Sequence, residues 1–367
     1  MLPYLGPSFG NPASSHRFGR EAGRAVEKAR RQAAELIGAS PEEIVFTGGA
    51  TESNNLAIKG AAESRAGEGN HIITVVTEHD SVRESCRSLE RRGFQVTWLP
   101  VGSGGLVDLG QLERALRKQT ILITIMYANN EIGVIQPMAR ICRLAETAKA
   151  LLHSDAAQAA GKIPLDVSKE GIDLLSLTAH KIHGPKGTGA LYVRRGVELA
   201  PQMEGGGQER GLRSGTLNVA GIAGLGEACE LCRLEMAEES RRVAGLRDRL
   251  REALMSQIEQ CRVNGSLEHR LPQNLHVTIG GVDGDSLLAG LGAIAVSAGS
   301  ACHSGGAGAS HVLQALGHGE GLLEASIRFG LGRFTTGQEV DFAARRIVET
   351  VNALRGASRG VEAAGVR

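Results

Sequence analysis

"DLLSLTAHKIHGPKGTGALYV", Asp173 to Val193, decides how this chain is read. Its two ends, "DLLSLT" (173–178) and "TGALYV" (188–193), are short apolar runs of strand length. Its middle is built from glycine, proline and small residues around Lys181, which directly follows His180. A solvated surface lysine needs no such frame. A lysine that must meet a flat ligand does, because backbone without bulky side chains lets the ligand come close.

Outward from this stretch, more strand-length runs appear: "IVFT" (44–47), "HIITVV" (71–76), "QVTWLPV" (95–101), "ILITIMY" (121–127) and "LLHS" (151–154). Helical patterns separate them, among them "SVRESCRSLERRG", "DLGQLERALRKQ" and "PMARICRLAETAKA". Such alternation predicts an α/β protein with a mostly parallel sheet covered on both faces. From residue 238 the texture changes to a charged helix, "AEESRRVAGLRDRLREALMSQI", then "NLHVTI", "AIAVSAG", "ASIRFGLG" and a final helix over 338–355. The expected division is a large domain, 1–237, and a smaller C-terminal α/β domain, 238–367.

The 367 residues are 42% hydrophobic and 22% charged, ordinary for a globular enzyme, with a formal net charge of +1. Bulk charge therefore implies no nucleic-acid partner. Glycine reaches 50 residues, roughly twice its usual share. No apolar run approaches membrane-spanning length, and the start "MLPYLGPSFG" lacks the pattern of a signal peptide. The six scattered cysteines suit a reducing compartment, so a cytoplasmic address is expected.

Ligands of open α/β sheets bind beyond the carboxyl ends of the strands. Past these ends stand Gly48-Gly49-Ala50-Thr51, Thr77-Glu78-His79, Ala128-Asn129-Asn130, Asp155 with Gln158, and Thr178-Ala179-His180-Lys181. With parallel strands, all five tips face one site. The turn "GGATES" opening a helix suits a phosphate, and a lysine with a strand-end aspartate suits pyridoxal phosphate. Taken singly, "GGAT" reads as an ordinary strand–helix turn, Asp155 or His79 as a helix cap, and Lys181 as surface. Their joint placement carries the reading. "GPKGTG" does not match the spacing of a nucleotide P-loop.

A second nucleophile stands in "SAGSACHSGGAGAS" (297–310), where Cys302 sits among glycine, alanine and serine; such a segment is expected to be exposed and mobile. Cys86, Cys142 and Cys261 read as core or incidental residues. Cys229 and Cys232 read as helical neighbours, since one C-x-x-C without a second is weak evidence for zinc. No metal site is expected.

The segments "SLTAHKIHGPKGTGALYV", "FTGGATESNNLAIKG", "TEHDSV", "NNEIGVIQP", "HSDAAQAAGKIPLDV" and "GGGQERGLRSGTLN" together resemble the cysteine desulfurases, of the nitrogen-fixation and housekeeping iron–sulfur assembly types. These are class V aminotransferase-like enzymes of the pyridoxal-phosphate-dependent transferase fold, fold type I. The resemblance runs from about residue 8 to 355. It implies pyridoxal 5'-phosphate as cofactor, L-cysteine as substrate, a homodimer with active sites at the subunit interface, and a sulfur-acceptor protein such as an iron–sulfur scaffold. It implies Lys181 as the Schiff-base lysine, Asp155 at the pyridinium nitrogen, Gln158 at the ring hydroxyl and His79 stacked on the ring. Ala50, Thr51, Thr178 and His180 would hold the phosphate, with Thr216 reaching it across the dimer. Asn130 and Arg328 would hold the substrate carboxylate, and Cys302 would take the sulfur as a persulfide. The family's usual opening segment, "LDxxATTP"-like, is not found before "FGNPASSHRFG", and His303 stands where a threonine is common. A selenocysteine lyase, or a non-catalytic scaffold homologue, are the alternatives these departures leave.

Overall fold

Apart from the edge run at 95–99, the apolar runs become strands because nearly every residue in them is buried, as expected for a sheet covered on both faces. A computed structural model describes residues 1–297, 310–317 and 325–364, with side chains through residue 357. Cys302 and His303 lie outside the described residues, as does all of the 297–310 stretch except its two ends.

The chain divides into two compact units. The first comprises Met1–Pro100, Val107–Ala128 and Gln136–Met236. The second comprises Val101–Leu106, Asn129–Ile135 and Ala237–Arg367. Asn130 therefore belongs to the second unit, although its strand lies in the first.

The first unit is built on β1 (Ile44–Thr47), β2 (His71–Val75), β3 (Gln95–Leu99), β4 (Thr120–Thr124), β5 (Leu151–Asp155), β6 (Leu174–Thr178) and β7 (Gly189–Val193). Their order in the sheet is β1-β7-β6-β5-β4-β2-β3. β7 runs antiparallel to both its neighbours, and the remaining pairs are parallel. β1, β2, β4, β5 and β6 consequently share one direction, and their carboxyl ends lie on one edge of the sheet.

Helices α1 (Leu2–Leu5), α2 (Arg17–Ile37), α3 (Ala50–Ser64), α4 (Asp80–Glu90), α5 (Leu109–Ala115), α6 (Met138–Ala148) and α7 (Val167–Glu170) accompany this sheet. In α2 the small residues Ala22, Ala29 and Ala33 line a buried face, and Gly38 ends the helix in the left-handed conformation. The core between α3, α4 and the sheet gathers Val45, Leu56, Ile58, Ile72, Leu122, Leu174 and Leu191.

Helix α8 (Val219–Gln257) starts well before the charged helix expected from residue 238. Its first half hides in "VAGIAGLGEAC", whose glycines disguise a helix. The reason is close packing: a Cβ on Gly226 would stand 2.5 Å from the Cα of Ala29 in α2. Asn218 caps this start, its Oδ1 accepting from the Gly221 N–H at 3.0 Å.

The second unit has β8 (Cys261–Val263), β9 (Asn274–Ile279) and β10 (Ser326–Gly330) in the order β10-β9-β8, all antiparallel. With them are α9 (Gly284–Gly290), α10 (His311–Ala315) and α11 (Gly337–Ala364). Leu254, Val277, Leu287, Ile327, Ile347 and Val351 are among its core residues. Among the described residues no helix is long and apolar enough to cross a membrane.

Candidate active site at the carboxyl ends of the strands

β1 ends at Thr47, and Gly48-Gly49 turn the chain into α3. Gly49 has φ +146°, a backbone that favours glycine. Gly189, which opens β7, is needed for a different reason: a Cβ there would lie 2.6 Å from the Cα of Gly49 and from the Leu177 carbonyl oxygen. Glu52 stiffens the turn, accepting from the Gly48 N–H at 2.7 Å and from Arg213 Nε at 2.7 Å. No side chain caps α3, so the N–H groups of its first turn, including Ala50 and Thr51, point out of the helix end.

The end of β6 comes up beside this helix start. A Cβ on Gly49 would be 3.7 Å from Thr178 Oγ1. That hydroxyl is 3.0 Å from Nδ1 of His180. Burial lowers the His180 pKa, and the Lys181 and Lys186 ammoniums lower it further, so the ring is neutral at physiological pH. A glycine turn, free helix N–H groups, a threonine hydroxyl and lysine charge make a setting for an anion. Lys181 follows on a short helical turn, Ala179–Lys181, and is exposed.

At the end of β5, Asp155 is 6% exposed. Its Oδ1 accepts from the Ala157 N–H at 2.9 Å, and its Oδ2 accepts from Asn54 Nδ2 at 2.8 Å. Asn54 lies on α3, wholly buried, and also donates to Ser81 Oγ at 2.8 Å. Ser81 Oγ is in turn 2.8 Å from Nδ1 of His79, the residue that caps α4. Asp155 and His79 are thus brought into one hydrogen-bonded chain. Glu78, fully buried, lies behind them; burial pushes its carboxyl well above the usual range, and the neighbouring Asp155 charge adds to this. Its Oε1 accepts from the Met126 N–H at 2.6 Å.

Gln158 is half-buried in the turn after β5, and Thr216 is exposed in the loop that precedes α8. That loop is tied down by Glu209, whose carboxylate takes a bidentate grip from Arg30 at 2.7 and 2.8 Å and accepts from the Phe46 N–H at 2.7 Å. In the second unit, Arg328 Nη1 donates to the Asn130 carbonyl at 2.9 Å. Cys302, read as the nucleophile, lies outside the described residues. Cys86, Cys142, Cys229, Cys232 and Cys261 are all buried. Burial raises the thiols of Cys86, Cys142, Cys229 and Cys261, Cys142 to about 12 and Cys261 to about 11, which removes these four as nucleophiles at neutral pH.

Asn54 and Ser81 were not singled out from sequence, and Glu78 was placed at a strand end without a role. Asn54 had a findable signal: it sits one helical turn beyond Thr51 in "GATESNN", a polar residue on the face of α3 that turns inward. Nothing in the spacing alone revealed that it meets Asp155, 101 positions away.

The model of the aminotransferase class-V family matches residues 1–342. A cysteine desulfurase IscS from Anaeromyxobacter sp. (strain Fw109-5) is 54% identical over 358 residues, covering 97% of this chain and 89% of that one. Among solved structures, a NifS-like protein superposes with a TM-score of 0.90 at 39% identity, covering 96% of this chain and 94% of the other. SspA, solved in complex with cysteine, gives a TM-score of 0.81 at 39% identity over 91% and 94% of the two chains. The strand-end cluster and these likenesses agree: the chain belongs to the cysteine desulfurases of the aminotransferase class-V family.

Proposed function

We propose that this protein removes sulfur from L-cysteine with pyridoxal 5'-phosphate as cofactor, giving L-alanine and a persulfide on Cys302. The observation that carries the reading is the gathering of the α3 start, His79, Asp155, Thr178, His180 and Lys181 along one edge of the sheet. These residues fit the cofactor on two counts. The uncapped start of α3 beside Thr178 Oγ1 leaves N–H groups for an anion, with Gly189 seated against the turn where no Cβ would fit. Asp155 is held as an acceptor by two donors, as an anion beside a protonated ring nitrogen must be.

Bound there, pyridoxal phosphate supplies an electron sink for bonds at the substrate Cα. Lys181 carries the cofactor and moves the proton at Cα. Asp155 keeps the proton on the ring nitrogen, Gln158 holds the ring hydroxyl and His79 covers the ring face. Ala50, Thr51, Thr178 and His180 hold the phosphate, and Thr216 reaches the phosphate of the partner subunit in a homodimer. Asn130 and Arg328 hold the substrate carboxylate, where a planar guanidinium suits two-point contact. The Cys302 thiolate attacks the substrate sulfur: the S–S bond forms, the Cβ–S bond breaks, and the released carbon is protonated to become the methyl of alanine. The persulfide then passes to a sulfur-acceptor protein such as an iron–sulfur scaffold in the cytoplasm.

The test is alanine formation from L-cysteine and L-selenocysteine, with added cofactor and a thiol reductant, for the unmodified chain, Lys181→Ala and Cys302→Ala. Cysteine turnover lost in both variants supports the proposal. Turnover of selenocysteine alone, or cysteine turnover that survives Cys302→Ala, would reject it.

A further inference from the structure

Asn54 is 0% exposed and sits between Asp155 and Ser81, with both distances at 2.8 Å. Its orientation follows from charge. Were the amide turned over, its carbonyl would face the Asp155 carboxylate, acceptor against acceptor. Nδ2 must therefore face Asp155, and its two hydrogens serve Asp155 Oδ2 and Ser81 Oγ. The Ser81 hydroxyl keeps its own hydrogen for His79 Nδ1, 2.8 Å away. The same nitrogen accepts from the Ser81 N–H at 3.2 Å, so it carries no proton, and the neutral ring holds its hydrogen on Nε2. The hydrogens of the chain thus run outward from Asn54, one way to Asp155 and the other through Ser81 to His79.

The arrangement has a cost that identifies its purpose. Asn54 Oδ1 is buried with no hydrogen-bond partner. A buried orphan acceptor is unfavourable, and an apolar residue would fill the same helix face without it. Other groups close to the chain do not replace Asn54. Glu78 flanks Asp155 with a carboxyl whose pKa burial pushes well above the usual range. Asp80 and Arg83 beside His79 are paired with each other at 3.0 Å.

We infer that Asn54 is a positioning residue that couples Asp155 to His79 through Ser81, fixing the carboxylate's orientation and that of the Ser81 hydroxyl at once. The inference rests on the reading of Asp155 and His79 as cofactor-facing groups.

The test uses the full chain with ¹⁵N-labelled histidine, without and with pyridoxal phosphate, comparing the unmodified protein, Asn54→Leu and Ser81→Ala; His79→Gln assigns the signal. In the cofactor-free protein His79 should show the Nε2–H tautomer in all three chains, because the Ser81 N–H remains, while its Nδ1 signal should move in Ser81→Ala and, by a smaller amount, in Asn54→Leu. Cofactor affinity, followed by fluorescence quenching, should fall about tenfold or more in Asn54→Leu, because a charge-assisted hydrogen bond to Asp155 is lost. In Ser81→Ala, which leaves Asn54 on Asp155, it should stay within about threefold. An unmoved His79 Nδ1 signal in Asn54→Leu would overturn the coupling, as would equal losses of affinity in the two variants. Absence of a Lys181-dependent visible band in the unmodified protein would instead strike the proposed function, and the cofactor-free Nδ1 measurement would still stand.

Discussion

Replacing Glu209 by alanine should cost more stability than any other single truncation near the Thr216 loop. The carboxylate is 7% exposed and faces Arg30, also 7% exposed, through a two-point contact at 2.7 and 2.8 Å. Arg30 stacks on the Phe46 ring, 4.7 Å from its centroid, and donates to the Ile44 carbonyl at 2.8 Å. Truncation leaves the buried guanidinium with only the exposed Glu27 carboxylate, 3.1 Å from its Nε, and the Phe46 N–H without its acceptor, a loss of about 3–5 kcal/mol. Glu209 and Arg210 also hold left-handed backbones, φ +48° and +57°, which cost about 1–2 kcal/mol each and persist only while something holds them. Urea unfolding of Glu209→Ala, at fixed protein concentration, should show a midpoint lower by roughly 1–2 M for a slope of about 2–3 kcal/mol/M. The double replacement Arg30→Met with Glu209→Leu should recover much of this, since apolar packing replaces a buried pair at little net cost. A Glu209→Ala midpoint within about 0.3 M of the unmodified protein would refute the reasoning, because the buried guanidinium would then not depend on this carboxylate.

Three further outcomes are expected. Glu78→Gln should be more stable than the unmodified chain above pH 5. The folded carboxyl keeps its proton while the unfolded one ionises, so stability falls as pH rises from about 4.5 toward the raised folded value, at up to about 1.4 kcal/mol per pH unit; a pH-independent gap would contradict this. His153, between Thr124 and Ser176 at 2.8 and 3.0 Å, has its pKa lowered to about 3 by burial. Its unfolded ring takes up a proton below pH 6.5 and its folded ring does not, so stability is lost as pH falls through that window. The margin of the unmodified chain over His153→Gln should shrink by about 2 kcal/mol between pH 7 and pH 5, and a constant margin would sink the argument. Gly189→Ala should push β7 off the Gly49 turn, lowering stability by about 1–3 kcal/mol and weakening cofactor binding, measured by calorimetry and fluorescence; unchanged values in both would refute the contact.

The strands were legible because buried parallel strands need near-continuous apolar runs, and "IVFT", "LLHS" and "DLLSLT" are such runs. The site was legible in outline for a related reason: once these strands run parallel, Gly49, His79, Asp155 and Lys181 must share an edge. The start of α8 was hidden because its glycines serve contact with α2, a tertiary reason that overrides helix propensity. The placement of Asn130 with the second unit was hidden too, since a strand-end position does not say where the chain goes next.

The sequence by itself determined the parallel sheet, the strand-end residue types, the lysine in its glycine frame and the cysteine among small residues, because periodicity and composition are local properties. Only the tertiary structure decided that β7 reverses to seat Gly189 on Gly49, that Asn54 joins Asp155 to His79, and that Arg30 holds Glu209. Those contacts link residues as far as 179 positions apart. A polar residue in an otherwise apolar helix face has many possible partners along the chain, and folding selects one.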